Sequence, residues 1–175
     1  VHIVLGNKLW IVLVAVAALV VTAGVALAHE RREISEFRLT VGWIVEPAFE
    51  GQKTGVDLRV VHVHKEGDTE KTEPVLGLEK TLQVEITHVT SAVTKTFSLR
   101  TIFNDPGHYT NDLILTVPGQ YRFRFFGTIE GLAVNETFES GPGRFNDMAS
   151  SAELQFPEKL PELREVSSAV KGAQG

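Results

Sequence analysis

The sequence predicts an all-β sandwich, and three observations predict it. Between residues 34 and 139 apolar and polar side chains alternate in short runs, the period-2 pattern of half-buried strands. Clusters of Gly, Pro, Asn and Asp separate the runs as turns. Seven such runs in roughly 100 residues match the strand number and size of an immunoglobulin-like Greek-key β-sandwich. The expected order is a membrane-directed segment over 1–28, the sandwich over 29–139, and a linker with a short amphipathic helix over 140–175.

Residues 9–28 carry no charge and almost no polar side chain. Lys8 precedes them, and Ala26-Leu27-Ala28 ends them just before His29-Glu30-Arg31-Arg32. A cation, an apolar run and a small-x-small ending are the parts of a secretory signal peptide, with cleavage leaving His29 as the new amino terminus. The competing reading is an uncleaved membrane anchor, since 20 apolar residues suffice to cross a bilayer. Either way the remainder is expected outside the cytoplasm, periplasmic or otherwise extracytoplasmic, and in contact with membrane only if the segment is kept. Val1 in place of Met is read as an alternative start codon in a bacterial gene.

Beyond residue 28 the 16 basic against 22 acidic side chains make a mildly acidic domain, which disfavours nucleic acid as a partner. There is no cysteine, so disulfides, thiolate nucleophiles and Cys-ligated metals are excluded.

The first strand begins at Phe37, with Phe37, Leu39, Val41, Trp43 and Val45 on one face, and Glu46-Pro47 ends it. After a Gly-bounded turn, Val56, Leu58 and Val60 mark the core face of the second strand, which His62 and His64 continue. Residues 65–74 are charged and break the alternation, so they read as a loop. Strands follow at 81–88 and 94–99. Asn104-Asp105-Pro106-Gly107 forms a turn into 109–117, and Pro118-Gly119 turns into 120–126, where Tyr121, Phe123 and Phe125 share a face. A last strand covers 132–138. Tyr109 or Tyr121 is the candidate for a corner hydrogen bond. Ser140-Gly141-Pro142-Gly143 reads as a linker, and Leu163, Val166 and Val170 stand at helical spacing before Gly172.

Gly42-Trp43-Ile44-Val45-Glu46-Pro47-Ala48-Phe49-Glu50-Gly51, Gly55-Val56-Asp57-Leu58-Arg59-Val60, Pro106-Gly107-His108-Tyr109, the stretch from Pro118-Gly119-Gln120-Tyr121 to Phe126-Gly127, and Glu136-Thr137-Phe138 resemble a group of exported bacterial proteins. That group is similar in outline to the YtkA-like, FixH-like and CopC-like immunoglobulin-type domains. The resemblance implies an exported sandwich. CopC-like proteins bind copper through an amino-terminal histidine exposed by signal cleavage, together with further His and Asp ligands. Here that role carries over to His29 alone, because the downstream Asp-x-His ligand motif has no convincing match. Met148 is the only methionine, so a methionine-rich cuprous site is excluded.

By its own chemistry a free amino-terminal histidine chelates copper(II) through its amine and ring. His62 and His64, two residues apart on one strand, present their rings on one face about 6.5 Å apart. The candidate metal ligands are therefore His29, His62 and His64, with copper(II) the candidate ion. The alternative is that His62 and His64 are rim residues finishing a strand. His88 and His108 are expected to be solvated or hydrogen-bonded. No hydrolase elbow, phosphate loop, dinucleotide fingerprint or metalloprotease motif occurs, so no enzyme is expected and no catalytic residue is assigned. The expected function is a non-enzymatic binding or accessory domain of the cell envelope with a role in copper handling. The runner-up is a membrane-tethered structural or protein-interaction module without metal.

Overall fold

A computed structural model of the chain describes residues 29–67, 69–161 and 163–173. The segment expected to be a signal peptide or anchor lies outside the described residues. Among the described residues no helix is long and apolar enough to cross a membrane.

Two antiparallel sheets face each other. The first runs in the order β1 (His29–Ile34), β2 (Phe37–Trp43), β4 (Val56–Glu66), β9 (Asp105–Thr110), β8 (Arg100–Ile102), with β5 (Thr69–Pro74) on the far half of β4. The second runs β12 (Leu132–Glu139), β11 (Tyr121–Ile129), β6 (Leu82–His88), β7 (Val93–Ser98). A two-residue pair joins β3 (Lys53–Thr54) to β10 (Leu113–Ile114). The chain crosses from the first sheet to the second after β5, returns after β7, and crosses again after β10, which is the Greek-key connectivity of a sandwich.

Between the sheets the alternating residues meet as their spacing requires. Leu39, Val41, Trp43, Val56, Leu58 and Val60 face Val84, Phe123, Phe125 and Phe138, all essentially buried. Trp43 packs edge-on against Phe123 at 4.8 Å between ring centroids. Tyr121, at the start of β11, donates from its hydroxyl to the Val117 carbonyl at 2.7 Å, the corner bond expected of one of the two tyrosines. Tyr109 is fully buried and donates instead to the Val75 carbonyl at 2.6 Å.

Strand β1 went unseen in the sequence because His29–Ile34 (HERREI) has a single apolar residue. It is held by its ladder to β2 and by charge. The Arg32 guanidinium lies 4.3 Å over the Phe138 ring and pairs with Glu30 and Glu136, each at 2.7 Å. Strand β5 also replaces an expected loop. Its residues (TEKTEP) are all exposed, so no apolar alternation marks a strand whose support is the ladder to β4. The expected strand over 109–117 is broken at Asn111. There the Asn111 side chain accepts from the Val56 amide at 3.0 Å, and Gly55 passes so close that a Cβ would stand 1.9 Å from the Asn111 carbonyl oxygen.

Residues 140–149, expected to be linker, close the end of the sandwich. Phe145 and Met148 are buried in the core, and Phe145 stacks on Phe123 at 5.0 Å. The Trp43 indole donates to the Asn146 carbonyl at 2.8 Å, and the Glu50 amide donates to the Ala149 carbonyl at 3.1 Å. Past a short 3-10 helix over Ser151–Leu154, whose start is half-buried against Glu50, comes the expected helix, α1 (Leu163–Ala173), on which Val166 and Val170 are about half exposed.

Candidate functional site

The outward face of the first sheet carries a line of charge at one end. In register, His29 on β1 stands opposite Gly42 on β2, and Gly42 opposite Asp57 on β4. Because Gly42 has no side chain, the His29 ring reaches across β2, and its Nε2 comes within 3.1 Å of Asp57 Oδ2. Asp57 and Arg59 point outward because Val56, Leu58 and Val60 take the inward positions of β4. Strand β9 brings His108 opposite Arg59. Its close approach needs Gly107, whose φ is +75° and where a Cβ would lie 2.9 Å from the Val60 carbonyl oxygen.

The result is a chain of contacts. Asp57 Oδ1 lies 2.7 Å from His108 Nε2, His108 Nδ1 lies 2.7 Å from Asp105 Oδ2, and Arg59 grips Asp105 with two bonds of 3.1 and 2.9 Å. Its centre is the most enclosed part. The His108 side chain is 6% exposed and that of Asp57 12%, whereas His29 at 36% opens to solvent. The Arg59 hydrogen bonds, reinforced by His108, hold the Asp105 carboxyl below the usual carboxylate range. Glu46 lies beside His29 and Asp57. Burial pushes its carboxyl up despite a backbone bond from Trp43 and the favourable charge of His29.

Three atoms here are buried without an aligned hydrogen-bond partner: Asp57 Oδ1, His108 Nε2 and Glu46 Oε1. The first two are 2.7 Å apart and yet poorly directed for an N–H to oxygen bond. Asp105 accepts from His108 Nδ1, so the ring stands between two carboxylates, Asp105 at one nitrogen and Asp57 at the other. Asp57 Oδ1 and His108 Nε2 are thus an oxygen and a nitrogen donor side by side, each without an aligned hydrogen-bond partner. Asp57 meets its two histidines with different oxygens, so the donors form a chain. Among the described residues no group of three or more His, Cys, Asp or Glu side chains is arranged to hold a metal ion by itself.

Comparison with family models, with curated proteins and with solved structures finds no match for this chain. The donor atoms are what speaks for the chemistry.

The expected grouping of His29 with His62 or His64 does not form. His62 stands opposite Phe37, five positions along β4 from Asp57, so about 17 Å of strand separates it from the His29 row. The antiparallel register of β2 decides this, since it sets the start of β1 against the start of β4. His62 and His64 do meet each other, Nδ1 to Nε2 at 2.8 Å. His88 bonds Ser91 Oγ at 2.8 Å and rests on Tyr121, as a hydrogen-bonded strand-end histidine. Asp57, Arg59, Asp105 and Glu46 were not singled out in the sequence. The available signals were a carboxylate inside the apolar run Val56-Asp57-Leu58 and an Asp three residues before a His in a turn. An open, largely apolar cleft of about 600 Å³ lies elsewhere, between β6, β7 and residues 112–117.

Proposed function

We propose that this chain is an exported, non-enzymatic binding domain of the cell envelope that takes copper(II) at the His29 end of its first sheet. The observation that carries the reading is that one carboxylate, Asp57, meets two histidine nitrogens, His29 Nε2 at 3.1 Å and His108 Nε2 at 2.7 Å. Imidazole nitrogens with a carboxylate suit copper(II), and Asp57 Oδ1 and His108 Nε2 stand 2.7 Å apart with no aligned hydrogen bond between them, which leaves both open to a cation. Asp105 would fix the His108 tautomer by accepting from Nδ1, and Arg59 would fix Asp105 in turn. Export rests on the apolar run of 9–28 and its Ala26-Leu27-Ala28 ending. Cleavage there would free the His29 amine, which chelates together with the ring Nδ1, so the ring would turn to present Nδ1 rather than Nε2 on the Asp57 side.

The test is a copper titration of chain beginning at His29. Wild type is expected to bind one ion at this end with nitrogen coordination in its paramagnetic resonance spectrum. His29→Ala and Asp57→Asn should each weaken binding at least tenfold. Retention of wild-type affinity in both variants would sink the assignment.

A further inference from the structure

We propose that His62 and His64 form a second copper(II) chelate, independent of the amino terminus and at the other end of the same sheet. The pair is built in advance. The two residues share a face of β4, their ring centroids are 4.1 Å apart, and His62 Nδ1 lies 2.8 Å from His64 Nε2. Two nitrogens at metal bonds of about 2.05 Å are separated by about 2.9 Å when the angle between them is square, and by about 3.4 Å when it is tetrahedral. With no ion bound the two nitrogens share a hydrogen bond, and copper(II) replacing its proton needs little movement, since 2.8 Å is close to the separation of adjacent corners of a square.

The surroundings orient the donors. The His62 ring stands edge-on to Phe37 at 5.2 Å, and its side chain is 19% exposed, so packing limits its rotation. Its Nε2 faces Glu36 Oε2 at 3.4 Å. A proton held there leaves Nδ1 to accept from His64 Nε2, and the same lone pair is the one a metal ion would take when it displaces that proton, which is how carboxylates commonly orient a metal-binding imidazole. His64 is 45% exposed and free to adjust. Across the ladder Glu73 pairs in register with His62, and its carboxylate is 3.9 Å from His64 Nε2, near enough to swing in as a third donor with water completing the set. The neighbouring cation, Lys71 opposite His64, is drawn aside by Glu66 at 2.6 Å. None of these residues belongs to the His29 row, so one site can fail while the other stands.

The test uses the full chain in detergent with copper(II) chloride as the probe. One equivalent should broaden the amide resonances of residues 61–65 and 72–74. His64→Ala should remove that broadening and weaken copper binding there at least tenfold, and His62→Ala should do the same. Because His64 is exposed, its variant should unfold at the wild-type midpoint, which separates lost chelation from lost structure. His29→Ala should leave these signals unchanged. Broadening that persists in His64→Ala, or that vanishes in His29→Ala, overturns the proposal.

Discussion

At the scale of single residues the outward face of the first sheet holds charges that burial and pairing pull in opposite directions. Asp105 is stabilised as a carboxylate by Arg59, whereas Glu46, enclosed beside Asp57, is not. Its folded carboxyl sits above the value it has in the unfolded chain, so the folded state binds that proton more tightly. The contribution to stability is then fully present below the ordinary glutamate range, around pH 4, and is lost as pH rises through the raised folded value. Glu46→Gln cannot ionise. It is expected to melt above wild type at pH 7, with the difference closing as pH falls toward 4. Paired thermal melts across that range check it, and a gap that stays constant with pH would refute the burial argument.

Elements differ in how they are held. Strands β1 and β5 are built from charged side chains and persist through ladders and ion pairs, while the tail after β12 is held by large buried rings. The tail therefore divides in two. Every described side chain of α1 is exposed, so deleting 161–175 should leave the melting temperature within a few degrees of wild type. Phe145, by contrast, is fully buried between Trp43 and Phe123. Phe145→Ala should cost about 3–5 kcal/mol and lower the melting temperature by on the order of 10 °C. If the helix deletion proves the more damaging of the two, the helix belongs to the core and the division fails.

For the molecule as a whole, one aromatic cluster ties both sheets and the tail together. Trp43 of the first sheet touches Tyr121 and Phe123 of the second and Phe145 of the tail. It is the one tryptophan after residue 28, so its fluorescence reports that shared core. Denaturation of chain beginning at His29, followed by Trp43 emission and by far-ultraviolet dichroism, should give coincident transitions. Separate midpoints would mean that the sheets unfold independently. At the same scale the two histidine groups lie at opposite ends of one sheet, so an ion at one end has no side chain in common with an ion at the other.

The all-β class and the core face of the central strands are local properties. Alternation in Phe37–Trp43 or Tyr121–Ile129 records which side chains turn inward, and that pattern is written residue by residue. The contact between His62 and His64 was legible for the same reason, since period 2 puts them on one face. Strands without an apolar face, β1 and β5, left no such record, because ladders and ion pairs to distant residues hold them. Burial of Phe145 and Met148 likewise depends on where the tail returns, and Gly and Pro around it imitate a linker. The His29, Asp57 and His108 site is tertiary throughout. It needs the register that sets His29 against Gly42 and Gly42 against Asp57, an absent side chain at Gly42, and the approach of β9 at Gly107. The contacts join His29 to Asp57, 28 positions apart, and Asp57 to His108, 51 apart, and no local period carries that information, so only the folded sheet could decide which histidine meets which carboxylate.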